Sequence, residues 1–183
     1  MHWCPEVLYQ LAQISLAKQD MPEAINRLSE LLSVIPNDPA ASRELANIYS
    51  DRGDENSAYQ YMFEAFKSLP CDVPIISWIA QYFYHHKNFE KSAQFFERAI
   101  LVEPNEVKWY LFIASCQQRS GMYHDAFISY RVINARFPTN LTCLELIVKL
   151  CTDLGLKDLP VSDNILDYTL HSLYCTCIVL VSF

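Results

Sequence analysis

The chain has 183 residues, 51% of them hydrophobic, and its three glycines and abundant helix formers argue for helices and against sheet. The net charge is −7 with no run of basic residues, which excludes the clustered lysines and arginines that nucleic-acid binding needs. The seven cysteines (Cys4, Cys71, Cys116, Cys143, Cys151, Cys175 and Cys177) are odd in number and scattered, so they read as buried or free thiols of a reducing compartment. Only Cys175 and Cys177 stand close together, and a zinc site would need tighter grouping with histidine, so no metal is expected.

Met1-His2-Trp3-Cys4 leads almost directly into a first helix, and no secretory signal is expected. That helix should run from about Glu6 to Lys18. Asp20 then caps a second helix, with Pro22 in its first turn, that reaches about Val34. Pro36-Asn37-Asp38-Pro39 ends this hairpin and begins the next, with Asp38 as N-cap. The third helix covers about Ala40 to Asp51, Arg52-Gly53-Asp54 turns the chain, and Asp54 caps a helix to about Ser68. Asp72 caps the fifth helix and Asn88 the sixth. Lys87 stands before Asn88 where other turns carry glycine, so that turn is expected to be strained or differently shaped. Asn105 should cap a helix over Trp109 to Arg119, and Gly121 precedes another that reaches Arg136. Asn140 caps a helix carrying Leu144, Ile147 and Val148 that ends near Gly155.

Pro36, Pro70, Pro104 and Pro138 are spaced 34 residues apart, the length of a helix-turn-helix unit of the tetratricopeptide type. With each closing proline at position 32, the repeats span 5–38, 39–72, 73–106 and 107–140, with a partial one at 141–159. Position 8 then reads Ala12, Ala46, Ala80 and Ala114, and position 20 reads Ala24, Ala58, Ser92 and Ala126. Small residues there let two helices approach closely. Position 24 reads Leu28, Met62, Phe96 and Tyr130, large residues that fill the groove between them. Position 15 holds all three glycines, Gly53, Gly121 and Gly155, suited to a left-handed helix terminus. The expected fold is an all-α tetratricopeptide-repeat solenoid, a right-handed superhelix of antiparallel helix hairpins. Each hairpin rests on its neighbours.

The pattern fails at the end. Pro160 falls where position 20 wants alanine, and no column is met from about Val161. Residues 160–183 form a divergent apolar tail ending Cys177-Ile178-Val179-Leu180-Val181-Ser182-Phe183. The tail is too short to span a bilayer and is an aggregation liability where exposed. It reads as a truncation or an alternative ending of a longer protein.

No phosphate loop, paired metal-binding histidines or nucleophile elbow is found, so neither an enzyme nor a cofactor is expected. His85 and His86 fall in a turn and should face solvent. The functional surface left is the concave groove lined by the first helix of each hairpin. Position 9 offers a ladder of Gln13, Asn47, Gln81 and Ser115, whose amides both donate to and accept from an extended partner backbone. Tyr9, Arg43 and Ser77 at position 5, with Tyr84 and Gln118 at position 12, complete the candidate partner-binding set. A groove that is merely wetted by water is the competing reading. A general tetratricopeptide adaptor of a chaperone or cell-cycle complex, or a regulatory repeat domain fused to an enzyme, are the alternative roles.

Several stretches go beyond the generic repeat. Leu31-Leu32-Ser33-Val34-Ile35-Pro36, Phe95-Phe96-Glu97-Arg98-Ala99, Val107-Lys108-Trp109, Ala114 to Gly121 and Leu150 to Lys157 resemble the tetratricopeptide region of the intraflagellar transport protein 88 (polaris) family. The resemblance covers roughly Pro5 to Leu159 and ends at Pro160. It implies a scaffold subunit of intraflagellar transport complex B, acting in cilium assembly. The implied partners are other complex B subunits, with kinesin-2 and ciliary cargo reached through the complex. The implied locations are the cilium, the basal body and the cytoplasm.

Overall fold

A computed structural model describes residues 4–153. The described residues form α1 (Pro5–Ala17), α2 (Met21–Val34), α3 (Pro39–Asp51), α4 (Glu55–Ser68), α5 (Val73–His85), α6 (Phe89–Val102), α7 (Val107–Arg119), α8 (Tyr123–Arg136) and α9 (Leu141–Asp153), with no strand among them. Gly155, Pro160, the apolar tail and the Cys175/Cys177 pair lie outside the described residues.

The helix starts follow from the residue just before each helix. Asp20, Asp38, Asp54, Asp72, Asn88 and Asn140 each accept a bond from the amide three residues on, at 2.8 to 3.3 Å. Three starts lack this bond, and at α1 the capping position holds Cys4, whose side chain makes no capping bond. Asn105 does not cap α7. The capping position is held by Glu106, whose side chain makes no capping bond. Its carboxylate instead lies 3.2 Å from Lys108 Nζ. Two repeats on either side carry Asp72 and Asn140 in this column, one methylene shorter and able to reach back to the helix. The helix consequently begins at Val107 and includes the two residues before Trp109. At the start of α8 the column holds Met122, which has no capping oxygen.

All four turns within hairpins share one geometry. Gln19, Gly53, Lys87 and Gly121 have φ of 61°, 78°, 59° and 83°. In each turn that residue's amide donates three residues back and the next amide donates five back, as in Lys87 N to Tyr84 O at 3.1 Å and Asn88 N to Phe83 O at 2.9 Å. This is the paired-bond helix terminus usually built on glycine. The turn at Lys87 is therefore not differently shaped. The flanking helices hold a non-glycine residue in the left-handed region, as they do at Gln19.

Each helix packs chiefly on its sequence neighbours, so four antiparallel hairpins follow one another and α9 rests on α8. The small columns are fully buried at Ala12, Ala46, Ala80 and Ala114 and at Ala24, Ala58, Ser92 and Ala126. Ser92 is accommodated because its hydroxyl donates to the Ala80 carbonyl oxygen at 2.8 Å and accepts from Cys116 Sγ at 3.5 Å. The large column, Leu28, Met62, Phe96 and Tyr130, fills the space between helices. Phe96 stacks on Phe112 at 4.7 Å and on Trp109 at 6.1 Å, joining the third hairpin to the fourth.

Two further columns, positions 3 and 10 of each first helix, face the preceding hairpin. They are buried at Ala41 and Ile48, at Ile75, at Trp109 and Cys116, and at Cys143 and Leu150. In α1 the same columns hold Val7 and Ile14, which are 41% and 50% exposed.

Candidate protein-interaction groove

The candidate residues fall on successive first helices but do not form a uniform ladder. Toward the C-terminal end their polar atoms are bonded within the chain. Tyr84 Oη lies 2.8 Å from Ser115 Oγ. Gln118 accepts from the buried Tyr130 hydroxyl at 3.3 Å, and its neighbour Gln117 accepts from Ser129 at 2.7 Å. Arg119 sits over the Tyr84 ring at 5.8 Å, and Phe89 meets that ring edge-on at 5.6 Å.

Toward the N-terminal end the groups are freer. Tyr9 is half-buried against the first core cluster. Arg43 Nη1 lies 3.9 Å from Asp72, the capping residue of α5. Ser77 donates back to the Pro74 carbonyl oxygen at 3.0 Å. Gln13 is half-buried, and Asn47 and Gln81 are exposed. None of these three amides has a side-chain hydrogen bond within the described residues. Asn47 and Gln81 on neighbouring hairpins therefore form the open amide pair of this face.

The structure brings together a further group that the column reading did not single out. A cleft of about 180 Å³ opens between the second and third hairpins, lined by Ser50, Glu55, Trp78, Gln81, Tyr82, His85 and His86. His85 and His86 are both exposed, as expected, and His86 also makes contacts in the cleft. Its ring packs on Tyr82 at 4.2 Å, and its Nε2 lies 3.3 Å from Glu55 Oε2. Tyr82 in turn stacks on Tyr59 at 4.5 Å and on Trp78 at 5.8 Å. Burial, then the neighbouring Tyr82, pushes the Tyr59 hydroxyl above its ordinary range. The sequence signal for this cleft was the small residue Ser50 at position 12, where the other repeats carry Leu16, Tyr84 and Gln118.

Burial raises the thiols of Cys116, Cys143 and Cys151, away from the nucleophilic thiolate form. Cys143 Sγ donates to the Tyr130 carbonyl oxygen at 3.1 Å, a packing role between α8 and α9. Among the described residues no three His, Cys, Asp or Glu side chains are grouped to hold a metal, and no helix is long and apolar enough to cross a membrane.

Comparison with known proteins bears on both fold and relationship. A family of unknown function (DUF6584) matches residues 6–67. A 63-residue stretch is 54% identical to the human intraflagellar transport protein 88 homolog. That stretch is 34% of this chain and 8% of the human protein. Solved structures similar to the chain include a MamA protein, with a TM-score of 0.69 at 16% identity over 84% of both chains. A tetratricopeptide repeat protein from Parabacteroides merdae has a TM-score of 0.64 at 16% identity, covering 82% of this chain and 59% of its own. PilF of Pseudomonas aeruginosa has a TM-score of 0.60 at 14% identity, over 82% of this chain and 69% of its own. The fold is an all-α tetratricopeptide-repeat solenoid.

Proposed function

We propose that this chain is a protein-protein interaction scaffold of intraflagellar transport, acting within complex B in cilium assembly. The observation that carries this reading is the stretch 54% identical to the human intraflagellar transport protein 88 homolog. The repeat fold supports it, because stacked hairpins present extended surface. On this reading Tyr9, Gln13, Arg43, Asn47, Ser77 and Gln81 face the partner. Tyr84, Ser115 and Gln118 shape the same face through the bonds they make to one another and to the core. The partners are other complex B subunits, with kinesin-2 and cargo reached through the assembled particle. The working location is the cilium and its basal body. The chain carries no reaction and requires no cofactor in this role. Repeats 5–38, 39–72, 73–106 and 107–140 act as the binding array.

The test is affinity capture from ciliated cells with the tagged chain, probed for complex B subunits. Wild type should retain them. Asn47→Ala combined with Gln81→Ala should retain them less well while helical circular dichroism stays unchanged, because both side chains are exposed. Retention no better than an unrelated tetratricopeptide array would refute the assignment to this complex.

A further inference from the structure

We infer that the cleft between the second and third hairpins seats one basic side chain, lysine or arginine, of a partner lying in the groove. This deepens the scaffold reading and rests on it.

The repeat itself provides the control. The same columns define a space between every pair of hairpins: positions 12 and 17 of one repeat against positions 6, 9, 10 and 13 of the next. Between the third and fourth hairpins these are Tyr84 and Phe89 against Phe112, Ser115, Cys116 and Arg119. There Tyr84 fills the space. Its hydroxyl bonds to Ser115 at 2.8 Å, Phe89 closes one side at 5.6 Å, and Arg119 lies over the ring at 5.8 Å. Between the first and second hairpins positions 12 and 17 are Leu16 and Met21, which pack onto the first core cluster. Between the second and third hairpins they are Ser50 and Glu55. The side chain that would fill the space is a hydroxymethyl, and the apolar residue that would wall it is a carboxylate. The cleft is therefore open at position 12, and that opening beside the Trp78 indole sets it apart, since the first space also carries carboxylates, Glu44 and Asp51, on its facing columns.

The lining favours a cation. Trp78, half-buried and stacked on Tyr82, offers an indole, the ring that attracts cations best. Glu55 brings a formal negative charge whose only partner among the described residues is His86. Gln81 and Ser50 add acceptor oxygens. Elsewhere the chain places its own cations over its aromatic rings: Lys67, Lys91, Arg98, Lys108, Arg119, Arg131 and Arg136 all do so. No lysine or arginine among the described residues lies over Trp78 or Tyr82, and the His86 ring packs on Tyr82 and leaves the Trp78 indole without a cation. The volume of about 180 Å³ is well below that of a drug-sized pocket and suits a single long side chain. The chain's net charge of −7 would steer a basic segment toward it.

The experiment is selection of short random peptides on the full chain, followed by affinity measurement of the selected peptides on variants. The expected outcome is enrichment of one lysine or arginine anchor. Replacing that anchor with norleucine, or making Glu55→Gln in the chain, should weaken binding roughly three- to tenfold. Ser50→Tyr should supply the ring that Tyr84 supplies one repeat later and abolish the anchor preference while keeping helicity. Glu55→Gln alters an exposed group, so it reads the charge without risking the fold. Selected peptides anchored by an aromatic or aliphatic residue, indifferent to Glu55→Gln, would overturn the inference while leaving the scaffold reading intact. Absence of any selected peptide would overturn the inference too, and capture of complex B subunits from cells would then show that the scaffold reading survives without it.

Discussion

Lys87 tests whether the tertiary stack, rather than glycine, sets the shape of the turns. Its φ is +59°, while Gly53 in the equivalent turn has +78°. An L-residue in this region is disfavoured by about 1–2 kcal/mol relative to the right-handed helix, a penalty glycine escapes. Against that gain, glycine makes the unfolded chain floppier, which removes about 0.4–1 kcal/mol. Lys87→Gly should therefore stabilise the chain by a net amount on the order of 0.5–1 kcal/mol. For a chain of this size that is roughly 1–4 °C in the unfolding midpoint. Lys87 is exposed and has no side-chain bond among the described residues, so little else changes. The assay is urea unfolding followed by helical circular dichroism, with amide exchange at α5 and α6 to read the local effect directly, since repeat arrays need not unfold in one step. The reverse change, Gly53→Ala, meets no atom within 4 Å at the added Cβ, so its expected loss of about 1 kcal/mol is purely conformational. If Lys87→Gly lowered stability by more than about 0.5 kcal/mol, the premise of backbone strain at this turn would be wrong.

Met122→Asp should restore the missing cap of α8 and raise stability by about 1 kcal/mol, read from the same unfolding curves. Ile14→Glu should be tolerated within about 0.5 kcal/mol because its column is half open in α1, whereas Ile48→Glu in the buried equivalent should remove about 3 kcal/mol or more. Burial, with smaller contributions from Tyr84 and nearby thiols, pushes the Tyr130 hydroxyl up to about 12 from 10. The neutral phenol is favoured in the fold, so its stabilisation is complete below pH 10 and is lost as the pH rises toward 12, a decline on the order of 2–3 kcal/mol. Tyr130→Phe should flatten that alkaline limb, as measured by unfolding midpoints between neutral and strongly alkaline pH.

How much of this was legible beforehand depends on the range over which each feature is encoded. The helix starts at Asp20, Asp38, Asp54, Asp72, Asn88 and Asn140 could be read because a capping oxygen acts on an amide three residues away. Asn105 misled because it is the right residue type one position too early. The cap position itself is counted from the helix, whose first turn is fixed by Trp109 packing on the preceding hairpin and Val107 packing within its own. At the groove, the amide ladder was visible as a column, but the internal bonding of Tyr84, Ser115 and Gln118 was not. Those bonds join residues 12 to 31 positions apart and depend on how hairpins are set against each other.

The sequence by itself determined the repeat, because a 34-residue period in small, large and helix-ending residues is a local pattern copied down the chain. Only the tertiary structure decided where that period leaves a space. Ser50, Glu55, Trp78 and His86 belong to different columns and different hairpins, and none is unusual alone. The cleft they form is the volume left when one hairpin packs on the next with a serine where its neighbours place a leucine or a tyrosine ring. Packing is a property of pairs of surfaces, so the position-12 column shows a small residue at Ser50 but not which side chains of the next hairpin surround it.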